Sequence, residues 1–326
     1  MKKEFFSVAL TFFLAAGTPI LTMADDSGQS ASESKAKIGD IIDKPNEVPG
    51  AEQVDDLITN NNLRALSGSL SRLSIASQFN YNGGTIEEPL AQDRPNISAA
   101  SGNTTKADLD GAISAKYNID GKNSVMAGIG MRWIAPMSTG SLNNYAGTTF
   151  DMMNPYVQYQ YVYKWLGVQS VLQVQGMQWT QADYTALGYG QAISVDQENM
   201  YQVGKSRLSI GLSAAAQYNF FSKSTDSTGA DLASSQSVYA FAFAPIIEYQ
   251  LSSKVNLRTL VNLFTYEHYL SFPGTTDLVH DGIYQSIGVG VSITRDVFVY
   301  PNLQFLPGNI ASNLTNVGVA ATVNVF

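Results

Sequence analysis

The chain has no cysteine in its 326 residues. Disulfides, thiol catalysis, thiolate-bound metals and an acylated N-terminal cysteine are all excluded. Charge is scarce at 14 %, and Gly, Ser, Asn, Gln, Thr and Tyr take its place. The formal net charge is −8, so nucleic acid, whose phosphates need a basic face, is not a partner. Beyond residue 24 no run of 18 apolar residues occurs, and no helix of this chain spans a membrane. Histidine is nearly missing: His268 and His280 are the two in the chain.

What is present begins with MKKEFFSVALTFFLAAGTPILTMADDSG. Lys2 and Lys3 precede an apolar run from Phe5, and TMA precedes Asp25. This is the pattern of a secretory signal, residues 1–24, cleaved near Ala24. Gly17 and Pro19 interrupt the run and speak against an uncleaved membrane helix. Residues 25–68 open with small, polar and charged residues and read as a flexible linker. Within it, 51–66 (AEQVDDLITNNNLRAL) has helical spacing, with Val54, Leu57, Ile58 and Leu66 on one side.

From Ser69 the period changes to two, and twelve strands are predicted. They lie near 69–81, 108–119, 124–134, 151–163, 168–179, 191–203, 207–220, 237–250, 254–267, 283–294, 297–306 and 313–326. Five joints are tight (DGKN, KWLG, GKSR, SSK and TRD) and six are long. Short and long alternate strictly once 191–203 counts as a strand. One face carries sets such as Leu208, Ile210 and Leu212, or Ile287, Val289 and Val291. The other carries Ser, Gly, Gln, Asn and Ala.

A soluble sandwich alternates too. These strands, however, exceed the usual five or six residues and are long enough to cross a bilayer at a tilt. Aromatics gather near strand ends, as at Tyr161, Tyr163 and Trp165, in the manner of an interfacial girdle. In lipid an open edge would strand unpaired backbone groups, so the sheet must close. The expected fold is therefore all-β: a closed antiparallel up-and-down transmembrane β-barrel over 69–326, behind an N-terminal segment.

With signal, linker, twelve strands and the ending VGVAATVNVF, the chain resembles Gram-negative outer-membrane β-barrels. The resemblance implies a cell outer-membrane location with both termini and the tight joints in the periplasm. It also implies that Phe326 is an assembly signal, read by the barrel-insertion machinery. Lipid, lipopolysaccharide and that machinery are the implied partners. Phe326 is in phase with Asn324, Thr322 and Ala320 rather than with the valines, which calls for a bulge or a looser recognition pattern. ALSGSLSRLSIASQFNYNGG and SVMAGIGMRWIAP give a narrower likeness to the major outer-membrane proteins of Bdellovibrio-type bacteria.

Enzyme chemistry is not expected, nor any cofactor or metal. Glu267, His268, Asp277, His280 and Asp281 have the residue types of a rim protease or a divalent-metal site. One loop cannot supply opposed carboxylate pairs, however, and an acidic surface loop is the reading. Neither histidine lies in an outward Ser-rich stretch, as lipid hydrolysis would need. GIG, GVG and GYGQ lack the helix that a phosphate loop requires.

The inward face carries the functional candidates. Parity points Arg72, Asp110, Lys116, Arg132, Gln158, Gln160, Gln173, Gln175, Glu248 and Arg258 into the lumen. Reflection about the turns sets Asp110 opposite Arg132 and Glu248 opposite Arg258 as cross-strand ion pairs. Lys116 and Arg72 are left for solutes. Small residues on the tenth and twelfth strands argue for open space unless something else fills it. Residues 25–68 sit just before the first strand at the periplasmic mouth, and a helix over 51–66 is long enough, at about 1.5 Å per residue, to enter and plug it. The expected function is a passive pore for small hydrophilic solutes. The alternative is a structural barrel without conductance.

Overall fold

A computed structural model describes residues 52–97, 103–138, 149–280 and 282–325. The expected signal peptide and Phe326 lie outside the described residues. Two short helices come first, α1 (Glu52–Leu57) and α2 (Asn61–Ser67). The strands β1 (Leu73–Thr85), β2 (Asp93–Pro95), β3 (Thr104–Lys106), β4 (Asp108–Asn118), β5 (Asn123–Ile134), β6 (Phe150–Trp165) and β7 (Val168–Gln178) follow. After α3 (Ala182–Ala186) come β8 (Tyr189–Gln202), β9 (Leu208–Phe221), β10 (Ser237–Gln250), β11 (Val255–Asn262) and β12 (Phe264–Tyr269). The short β13 (Val279–His280) leads to β14 (Tyr284–Thr294), β15 (Val297–Phe305) and β16 (Asn316–Val325).

β2 and β3 form a separate hairpin inside the first long loop. β11 and β12 continue one strand across Leu263, both pairing with β10. Twelve antiparallel strands then close on themselves: β16 pairs with β1, and β11 joins β10 to β14. Closure leaves no edge among the barrel strands.

Side chains obey a simple rule on this surface. Outward positions stay exposed although apolar, including Ile75, Ile113, Val157, Ile193, Ile247 and Ile287. Their inward neighbours are polar and buried, as with Gln158, Gln160, Asp196 and Asn256. Parity slips once in β6, where Asn154 takes a positive φ of 53° and the register with β5 shifts between Gly128 and Gly130. This β-bulge is fastened by Thr180 and Gln181, whose backbone N–H groups donate to Asn154 Oδ1 at 3.0 and 3.3 Å. It turns Asp151 toward Arg132.

Two differences from the sequence reading concern the N-terminal end of the fold. The first strand runs over 73–85, four residues later than expected, because α2 extends to Ser67 and Gly68 caps it at φ 85°, a conformation suited to glycine. The expected helix over 51–66 is split. The first piece ends at Leu57, and Asn60 caps the second, its Oδ1 accepting from Leu63 N at 3.1 Å. The pairing of β16 with β1 is continuous from Gly318 to Val325, so no bulge resets the phase within the described part of that strand.

The plugged lumen as candidate functional site

α1 and α2 sit inside the barrel at its turn end. Neither is long enough to hold its helical form alone in water, and both are held by what they bury. Val54, Ile58, Leu63 and Leu66 are 0–5 % exposed. They pack with Val162, Val171, Met200, Ile246, Leu260, Phe298 and Tyr300 of the wall. Each such aliphatic side chain contributes roughly 1.5–3 kcal/mol when fully buried.

The polar contacts are as extensive. Gln169 Oε1 accepts from the N–H groups of Thr59 and Asn60, both at 2.8 Å, which answers the backbone donors left free where the helix breaks. Asn60 Nδ2 donates to Glu248 Oε2 at 3.1 Å, and Asn62 Nδ2 to Glu198 Oε1 at 2.7 Å. The free carbonyls at the end of α2 are met in turn. Ala65 O accepts from Asn324 Nδ2 at 2.8 Å and Leu66 O from Gln160 Nε2 at 2.9 Å. Ser67 O accepts from Lys116 Nζ. Arg295, in the β14–β15 turn, donates to both carboxylate oxygens of Asp55 at 2.9–3.0 Å and to Gly68 O at 2.7 Å.

Nine of the ten predicted lumen residues fall in three groups. Lys116, Gln160, Glu248 and Arg258 are committed at the plug: Lys116 also donates to Gln160 Oε1 at 2.8 Å, and Arg258 donates to Glu248 Oε1 at 3.3 Å. Arg258 also lies 5.4 Å from the centre of the Tyr300 ring. Gln158, Gln173 and Gln175 are buried in the wall. Asp110 and Arg132 face each other in register, as expected, but the ion pair at 2.7 Å joins Arg132 to Asp108. Asn82 Nδ2 bridges the two aspartates at 3.1 and 2.8 Å. Arg72 stands apart: it precedes β1 and is exposed at the turn end.

The open space expected along β14 and β16 is filled. A Cβ on Gly290 would come within 2.7 Å of the Phe298 ring; the small residues receive the large side chains of β15. A cavity beside Lys116, lined by Gln78, Ser114, Met126, Gln158 and Asn324, measures about 20 Å³, which is room for about one water.

The other end is narrowed by the barrel's own loops. The β2–β3 hairpin folds toward the lumen, where the inward Asn316 donates to Pro95 O at 2.9 Å. Asn96 and Ile97 are buried. Trp179 stacks on Tyr184 at 4.1 Å, and Tyr189 and Phe221 extend the cluster. His268 and His280 do not share a site: His268 Nδ1 contacts Asp277 O and His280 Nε2 contacts Leu263 O. Among the described residues no three His, Asp or Glu side chains are grouped to hold a metal ion.

Sequence reasoning missed Asn60, Asn62, Glu198, Arg295 and Asn324 as plug partners. A signal existed: Val162, Val171, Met200, Ile246, Leu260 and Phe298 interrupt the polar stripe at inward positions, all toward the turn end.

No protein-family model matches the chain, and no curated protein does. The narrower likeness to Bdellovibrio-type proteins is unsupported. Solved structures share the barrel architecture. An outer-membrane channel from Pseudomonas putida F1 is 9 % identical, with 79 % of this chain and 97 % of that one covered and a TM-score of 0.46. The NanC porin is 9 % identical, covering 77 % and 98 % at a TM-score of 0.40. An outer-membrane phospholipase from Salmonella typhi is 13 % identical, covering 77 % and 90 % at 0.35. At these values no activity is carried across.

Proposed function

We propose that this protein is an outer-membrane barrel, shut as folded by its own N-terminal helices, that passes small hydrophilic solutes when they withdraw. Its outward apolar face would be a very large exposed patch in water and is solvated in hydrocarbon. The observation that carries the reading is the bonding of α1 and α2. They are held by side-chain hydrogen bonds to Gln, Asn and Glu of a polar wall, groups that water can satisfy once the helices leave. Lipid and lipopolysaccharide would surround the barrel, and insertion machinery would read its last strand.

The test is planar-bilayer recording from the mature chain and from a variant lacking residues 52–67, both shown folded by heat-modifiable migration. The full chain is expected to be nearly silent and the deletion to conduct in steps. A synthetic peptide of residues 52–68 should close the deletion variant again. Silence from a folded deletion variant would sink the pore and leave a non-conducting structural barrel. That second reading has its own support in the hairpin tied to Asn316 at the loop end.

A further inference from the structure

Charge is distributed unevenly between the two ends. The turn connections, residues 68–72, 119–122, 164–167, 203–207, 251–254 and 295–296, carry seven Lys or Arg and two Asp. The described loop residues at the other end carry seven Asp or Glu and three Lys or Arg. Six of the turn-end cations are exposed: Arg72, Lys122, Lys164, Lys205, Arg207 and Lys254. Every hairpin turn holds or closely flanks at least one cation, Lys164 lying in the last residues of β6.

Turns that follow one another round the rim are two strands apart, about 10 Å. That equals a Debye length at moderate salt, so neighbouring cations act on an anion together. The seventh cation, Arg295, shows what such a rim takes. It grips Asp55 of α1 through both carboxylate oxygens, the strongest geometry available to an arginine. The α1 sequence is EQVDDL, and Asp56 beside the gripped residue is exposed at the same end. Six exposed cations exceed what one short helix can occupy.

We propose that the turn-end rim is a docking surface for acidic polypeptide, with α1 as its resident ligand in cis. An acidic segment supplied in trans competes for Arg295 and its neighbours, and the plug is released. An extended peptide of eight residues spans about 26–29 Å, enough to reach from one turn across two more. The proposal deepens the plugged-pore reading and rests on it for its consequence, though not for the binding itself.

The chain has no native cysteine, and Ala65 is buried while the plug is seated, so Ala65→Cys in the mature chain gives a single reporter thiol. Octaglutamate added from the turn side should raise its labelling rate about tenfold, an ordinary coupling between two ligands. It should also open the full chain in bilayers. Octalysine should do neither, and raising salt well above about 0.15 M should weaken the effect. Lys122→Gln, Lys164→Gln, Lys205→Gln, Arg207→Gln and Lys254→Gln combined should abolish the response while the barrel stays heat-modifiable. Labelling that ignores octaglutamate would overturn the proposal. So would an equal response to inorganic tripolyphosphate at matched charge, which would leave a general anion rim. A labelling response with a silent deletion variant would uphold the docking surface and refute the pore.

Discussion

At the turn end one guanidinium holds both Asp55 and Gly68; at the loop end Trp179 and Tyr184 stack face to face at 4.1 Å. The first closure is a separate segment in a basic rim, fastened by hydrogen bonds and one apolar seam. The second grows out of the barrel's own loops, with Tyr189 donating to Ser235 O at 3.3 Å and Gln236 bonded to two loop carbonyls at 2.8 and 2.9 Å. A closure made of a separate segment can leave as a unit. A closure continuous with the strands moves only with them. On the proposed reading the barrel carries a removable stopper at one end and a fixed constriction at the other.

The sharpest way to break this contrast is Ile58→Asp. Ile58 is fully buried, and an unpaired carboxylate there cannot stay in an apolar seam. The plug should leave, bilayer conductance should approach that of the 52–67 deletion, and barrel stability should hold. Unchanged silence would mean that α1 and α2 are not the stopper. At the loop end, Trp179→Ala should cost about 3–5 kcal/mol in denaturant unfolding without opening the barrel. Conductance from that variant would erase the distinction between the ends. Between them, Phe243→Lys puts a charge on the outward wall and should cost about 2–4 kcal/mol near the midplane, with both closures intact. Ser286→Lys enters the filled lumen beside Tyr300, so it should be costly as well, unlike a change facing an open channel.

The smallest effect concerns the β4–β5 turn. Slight burial pushes the Asp120 carboxyl up, but hydrogen bonds from Lys122 N–H and from the side chain and N–H of Asn123, with the Lys122 charge, outweigh it and hold it below the usual range. A depressed carboxylate stabilises above its unfolded pKa, and that contribution is lost as pH falls through the folded value. Protection of the Lys122 and Asn123 amides, relative to their intrinsic exchange rates, should therefore fall on acidification below the normal carboxylate range, and Asp120→Ala should remove that change. No such change is expected in the plug contacts of Gln169, whose amide does not titrate.

Strand number and facing were legible because outward and inward positions meet two different media, and period two records that residue by residue. The tight joints also named themselves, down to the GKSR turn between β8 and β9 and the strict alternation that made 191–203 a strand. The first strand was displaced because SLSRLS alternates as well as any strand while Gly68 gives no local sign of capping a helix. The stopper was harder to read. NNN at 60–62 looks like a helix breaker, yet Asn60 caps α2 and Asn61 and Asn62 open it, while the side chains of Asn60 and Asn62 reach Glu248 and Glu198. Those partners lie 188 and 136 residues away, and no local pattern encodes such a pairing. The inward apolar residues that should have betrayed it are single exceptions on six different strands, and they align only after the barrel has closed.

The bond from Asn324 to Ala65 spans 259 residues, and the clasp from Arg295 to Asp55 spans 240. Both receptors for the N-terminal helices lie on the last strands to be made. Seating is therefore a late event in time: contacts of such separation form only after the chain entropy between them has been surrendered. A half-built barrel has no pocket for α1 and α2 and must hold them elsewhere. Once seated, α2 is tied to β16 through Asn324. The stopper would then act as a completion mark, distinguishing finished barrels from unfinished ones by whether the first residues of the fold are still accessible.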